Sequence, residues 1–349
     1  MPANRTVGLF LCFLLSLGVR AGSAGQADKS VSAPVPVEEV VTPLADEDIA
    51  SGCHYWLTLP QGNKPVRGVW VIFDRGRDVH ELSLDPDMAA FARRFRLSLL
   101  LHGFCPGKGA SDRGDMNMNP SQGLGPALLR ALDRFARTTK HPELSKAGLI
   151  LLGFSGAGPL SARLIGDYPQ RVIAAVLSAP GHEPPDGIDT IHLSREAQQV
   201  PELIIVGGAD TVSGTRLPYE YFKEYRRLGA PLTFVVQNHF PHCCTANTKS
   251  LMLAWLSAVL ARRMPVTAGD PLLKVTGNGD WLGYIHIQTT KIKDGFGLET
   301  FNVKSAEIQP AKIGQRNQDD NASWLPTSFF AHEWLVFIQQ DKHPILPLH

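Results

Sequence analysis

The sequence has no excess of either charge: 34 Lys and Arg stand against 33 Asp and Glu, for a formal net charge of +1. Nothing in that balance would draw the chain to a polyanion, and no nucleic-acid partner is expected. Internal repeats and low-complexity tracts are also missing, which excludes solenoids and biased linkers. The composition that remains, 44% hydrophobic and 19% charged, is that of a folded globular chain.

No apolar run is long enough to span a bilayer comfortably, which takes about 20 residues. The longest, "VGLFLCFLLSLGV" (Val7–Val19), follows Arg5 and precedes the small residues "AGSAG". That order reads as a signal peptide over residues 1–24, cut after Ala24. The protein is then expected to be secreted or periplasmic, with no membrane contact after cleavage. Residues 25–45 are polar and contain proline, the signature of a flexible lead-in.

Cysteines are few. Cys12 lies inside the apolar run, leaving Cys53, Cys105, Cys243 and Cys244. An oxidising compartment permits disulfides, and adjacent cysteines rarely pair with each other. A bond from Cys105 to Cys243 or Cys244 is expected, because both segments should stand over the same sheet edge.

Short apolar runs mark the strands: Tyr55–Leu59, Gly68–Phe73, Leu97–Leu101, Leu149–Gly153, Val172–Ser178, Glu202–Gly207 and Leu232–Gln237. Most are continuously hydrophobic, as in a parallel sheet covered on both faces. Amphipathic helices are expected between them at Asp85–Arg96, Gly125–Thr139 and Asn247–Arg263. Alternation of the two predicts a doubly wound, mostly parallel α/β sheet over residues 46–264. Residues 265–349 alternate polar and apolar positions and end in "LPTSFFAHEWLVFIQQ". They predict a small β-rich C-terminal extension with a closing helix.

In such sheets, function sits beyond the carboxyl ends of the strands. There "LILLGFSGA" sets Ser155 between Gly153 and Ala157, after a strand and before the helical "GPLSARLIGDYP". Small flanking residues let strand and helix backbones approach closely enough to push a serine out as a nucleophile. A plain tight turn would show the same residues. Gly156 would then offer a backbone N–H to a developing oxyanion.

A nucleophilic serine needs a base and an orienting acid, here in the chain order serine, acid, histidine. Asp210 ends "LIIVGGAD", a strand and a small-residue turn; Asp186 and Asp189 follow no comparable strand. After the next strand, "NHFPHCC" offers His239 and His242. His239 lies nearer the strand; His242 lies nearer the following helix, behind Pro241. Zinc is a rival use of "HFPHCC", but adjacent cysteines give poor tetrahedral geometry, and no metal is expected. "GFCPGKGAS" misses the phosphate-loop spacing and carries Gly109 where Ser or Thr is required. His102 and Cys105 sit at the functional edge, either lining a pocket or packing.

Ser155, Asp210 and the histidine pair, with "YPQRVIAAVLSAPG" after the turn, resemble the α/β-hydrolase superfamily over about Cys53–Arg263. The nearer likeness is to secreted poly(3-hydroxybutyrate) depolymerases and to feruloyl and acetylxylan esterases. In that group a histidine precedes Asn by about five residues and then an aliphatic helix with an aromatic; His242, Asn247 and Trp255 fit. The resemblance thus favours His242, with His239 as the other candidate. It also implies a second oxyanion N–H after strand Gly68–Phe73. "VIFDRGRD" departs from the family's His-Gly there and puts Asp74 and Arg75 at the place.

The implied activity is a cofactor-free serine hydrolase that cleaves small-molecule or polymer carboxylic esters through an acyl-enzyme. A peptidase or amidase with the same triad, and a catalytically silent binding protein on the same fold, are the other readings. Oligomeric state is not legible.

Overall fold

The computed structural model describes residues 35–62, 64–74, 77–103, 105–108, 120–181, 191–243, 245–276, 280–290, 299–312 and 321–340. The expected signal peptide lies outside them. The described residues belong to one compact unit, and none of their helices is long and apolar enough to cross a membrane.

The chain begins with β1 (Val37–Val41), β2 (Cys53–Thr58) and β3 (Gly68–Phe73), then α1 (Arg77–Ser83), α2 (Pro86–Phe95) and β4 (Leu97–His102). It continues through α3 (Leu124–Thr138), β5 (Gly148–Phe154), α4 (Ala157–Asp167), β6 (Val172–Ser178) and β7 (Glu202–Gly207). The large sheet is completed by α5 (Arg216–Arg227), β8 (Leu232–Gln237) and α6 (Lys249–Arg263). Its order is β1-β2-β4-β3-β5-β6-β7-β8. Strands β3 to β8 run parallel, while β1 and β2 are antiparallel to their neighbours.

Hydrophobic patterning explains each part. Every residue of β3, β4, β5, β6, β7 and β8 is buried, as expected of strands with helices on both faces. Strand β2 alternates instead, with Cys53, Tyr55 and Leu57 inward. Strand β1 lies within the segment expected to be a flexible lead-in. Its "VEEVV" buries only Val41, yet the five residues pair along β2 from Val37↔Leu57 to Val41↔Cys53. Helix α2 starts where its cap is encoded: Asp85 accepts from the backbone N–H groups of Asp87 (2.8 Å) and Met88 (3.2 Å).

Direction of β2 corrects the expected disulfide. Because β2 is antiparallel to β4, its first residues meet the last of β4, with Tyr55 opposite His102. Cys53 therefore reaches Cys105, and these two are bonded. Cys105 does not pair with Cys243 or Cys244. Cys243 is itself held in a disulfide, and Cys244 lies outside the described residues.

The C-terminal extension forms β9 (Trp281–Thr290), β10 (Thr300–Pro310), β11 (Ala322–Leu325) and α7 (Ser328–Ile338). The three strands make a separate antiparallel sheet in the order β10-β9-β11. Phe301, Trp324, Phe330 and Trp334 share the core of the large sheet. The extension also closes the outer edge of β8. Phe234 N–H donates to Ser323 Oγ at 2.9 Å, and Phe234 O accepts from Trp334 Nε1 at 2.8 Å. Side chains thus satisfy main-chain groups that an edge strand would leave unpaired.

Candidate active site

Strand order reverses at β3, between β4 and β5, which is where a crevice opens beyond the carboxyl ends of a doubly wound sheet. Ser155 follows β5 at that place. Its φ is +54°, in the left-handed region that a residue with a side chain rarely adopts. Two hydrogen bonds hold it there: Ser155 N–H to Ser178 O and Gly158 N–H to Ser155 O, both 2.9 Å. The surrounding small residues are sterically required. A Cβ on Gly153 would run into Ala157 O, and one on Gly158 would come within 2.5 Å of Pro180 Cβ. Gly156 stands at the N-terminus of α4, whose first N–H groups have no intrahelical acceptor.

Asp210 follows β7 and is fully buried. One carboxylate oxygen accepts from the backbone N–H groups of Val212 and Ser213, each at 2.8 Å. The other lies 2.8 Å from His242 Nδ1. A carboxylate only accepts, so Nδ1 carries the proton and Nε2 is left as an acceptor. Nε2 stands 3.0 Å from Ser155 Oγ. Phe154 packs against the imidazole with ring centroids 5.0 Å apart, and Ser213 Oγ lies 3.4 Å from Nδ1.

Ser155, His242 and Asp210 are thus brought together in one hydrogen-bonded line. His239 is not part of it: it is exposed, has φ +58°, and its backbone N–H donates to Asn302 Oδ1 at 2.7 Å. Asp186, Asp189 and Arg75 lie outside the described residues. Asp74 does not offer its N–H to the site, which corrects the expectation for it. The parallel pairing of β3 with β4 continues one residue further than foreseen, so Asp74 N–H donates to His102 O at 2.9 Å. The Asp74 side chain accepts from His80 Nδ1 at 2.8 Å.

His102 and Cys105 pack rather than line a pocket. Both are fully buried, Cys105 in its disulfide and His102 against Tyr55 and Phe73. Burial holds the His102 imidazole down at about 4. Ser213, Phe154, Asn238 and Asn302 were not singled out in the sequence. Ser213 carried one faint signal, its place three residues after an acid in a turn.

Strand order, the antiparallel β2 and the left-handed serine between β5 and α4 define an α/β-hydrolase fold. No protein-family model matches the sequence, and no curated protein does. Solved structures do. A serine hydrolase without a lid from Xanthomonas campestris is 17% identical, covering 67% of this chain and 97% of its own, with a TM-score of 0.43. An acylaminoacyl peptidase from Pyrococcus horikoshii is 10% identical over 66% of this chain and 42% of its own, with a TM-score of 0.47. An esterase from Pyrococcus furiosus is 14% identical over 66% and 94%, with a TM-score of 0.46.

Proposed function

We propose that this chain is a serine hydrolase that cleaves carboxylic esters through an acyl-enzyme on Ser155. The observation that carries the reading is the line from Asp210 to His242 at 2.8 Å and from His242 to Ser155 at 3.0 Å, ending on a left-handed elbow. Ser155 Oγ attacks the ester carbonyl while His242 Nε2 takes its proton. Asp210 keeps the imidazole in the accepting tautomer and stabilises the imidazolium. The Gly156 N–H receives the negative charge that develops on the carbonyl oxygen. His242 then gives the proton to the leaving alcohol. Water, deprotonated by the same nitrogen, releases the acid and restores Ser155.

The chain acts outside the reducing cytosol on this reading. Its Cys53–Cys105 disulfide and the Val7–Val19 run behind Arg5 support export with cleavage after Ala24. N-terminal sequencing of exported protein should begin at Gly25.

A fluorophosphonate probe tests the nucleophile. The wild type is expected to be labelled at Ser155 and the folded Ser155→Ala variant to stay unlabelled. Aryl esters of graded acyl length, run beside the matching aryl amides, test the substrate class. Absence of labelling on folded wild type removes the hydrolase reading, and turnover of amides in preference to esters replaces it with an amidase.

A further inference from the structure

The C-terminal extension reaches the turns that carry both Asp210 and His242. Five consecutive residues do this, Glu299 to Val303. Glu299 O accepts from the backbone N–H groups of Thr215 and Arg216, at 3.1 and 3.2 Å, just after the Asp210 turn. Phe301 N–H donates to Thr215 Oγ1 at 2.7 Å. Val303 exchanges two hydrogen bonds with the Asn238 side chain, its N–H donating at 2.8 Å and its O accepting at 3.1 Å.

Asn302 sits between these anchors and is buried. Its Oδ1 accepts the N–H of His239, which is held at positive φ three residues before His242. The same oxygen lies against Gly208, two residues before Asp210: a Cβ there would strike it. Gly208 has no side chain to keep the amide away. The two turns are also laced directly, Gly208 N–H to Gln237 O at 2.8 Å and Ala209 N–H to Phe240 O at 2.9 Å. One side-chain oxygen therefore touches the turn that bears the acid and fixes the turn that bears the base.

We propose that Asn302 is a positioning residue: through Gly208 and His239 it sets the separation of Asp210 and His242. The inference rests on the serine-hydrolase reading for its consequence but not for its geometry. Asn302 touches no reacting atom. Its loss should leave substrate binding intact and misplace the imidazole, an error that can cost about 100-fold in rate for a shift of order 1 Å.

The experiment uses the full-length exported protein. The low-field proton resonance of His242 Nδ1–H, assigned by its absence in His242→Gln, reads the Asp210–His242 contact without any substrate. Wild type and Asn302→Asp, which keeps an oxygen acceptor, are expected to show it. Folded Asn302→Leu, which cannot accept, is expected to lose it. In the same variant kcat should fall about 100-fold with KM unchanged within about twofold, the pattern of lost transition-state positioning. Asn302→Asp should recover most of kcat. If Asn302→Leu does not fold, Asn302→Ala takes its place with the same expectations. A folded Leu or Ala variant that keeps both the resonance and the wild-type kcat overturns the proposal, as does absence of the resonance from wild type. Wild type that shows the resonance but hydrolyses no ester sinks the hydrolase reading alone, and the resonance then decides the positioning role.

Discussion

Tyr221 donates its phenolic hydrogen to Glu202, with both carboxyl oxygens within reach at 3.1 and 3.0 Å, and Glu202 is fully buried at the start of β7. Burial pushes this carboxyl up to about 8, against a smaller opposing effect of the Tyr221 hydrogen bond. The folded-state value is raised, so the stabilisation is complete below the unfolded value near 4.5 and is lost as pH rises through about 8. At full ionisation the loss is on the order of 5 kcal/mol. Glu202→Gln should therefore flatten the fall in stability between about pH 4.5 and pH 8. Urea midpoints measured across that range check it; parallel curves for the two proteins would refute it.

His102 acts in the opposite direction. Neither ring nitrogen has a hydrogen-bond partner among the described residues. Burial lowers its value from 6.5 to about 4, so the protein must fold around a neutral imidazole. Its stabilisation is present above the unfolded value and is lost as pH falls from about 6.5 through about 4, on the order of 3 kcal/mol in all. His102→Phe keeps a ring between Tyr55 and Phe73 and should remove this acid dependence. Denaturation midpoints at graded acid pH are the measurement.

The left-handed backbone of Ser155 makes stability and activity separable. Glycine adopts φ near +54° freely, whereas alanine is strained as serine is. Ser155→Gly should be more stable than Ser155→Ala by about 1 kcal/mol, while both lower kcat on the proposed ester substrates by about a million-fold. Equal melting temperatures for the two variants would show that the turn carries no such strain.

The Cys53–Cys105 bond closes a loop with a sequence separation of 52 residues. Chain-entropy reasoning gives it about 4 kcal/mol. The double variant Cys53→Ser, Cys105→Ser should lose stability of that order and keep kcat, since neither sulfur belongs to the serine–histidine–aspartate line. Chemical denaturation and steady-state kinetics on the same preparation decide both halves.

Much of the fold could be read because continuous apolar runs leave little choice but buried parallel strands. The runs at Gly68–Phe73, Val172–Ser178, Glu202–Gly207 and Leu232–Gln237 match their strands residue for residue. Ser155 was legible because close packing forces a small-residue signature around it. Strand direction was not. Nothing in "CHYWLT" says that β2 runs against β4, and that direction alone brings Cys53 to Cys105. The Asp74 N–H was missed because a ladder's last hydrogen bond depends on register, which no single strand encodes. Asn302 carried no sign at all: inside an alternating strand it is one polar position among several, and its partner His239 stands 63 residues earlier.

That separation has a consequence for the order in which the molecule is completed. A nascent chain that has emerged only through α6 already contains Ser155, Asp210 and His242. It lacks Glu299 to Val303, which brace the turns of the acid and the base, and Ser323 and Trp334, which cover Phe234. On the positioning role proposed for Asn302, the turns of the acid and the base are braced only once the last quarter of the polypeptide is in place. A chain ending near residue 264 would hold all three side chains of the proposed triad and none of the five residues that brace the turns of its acid and base.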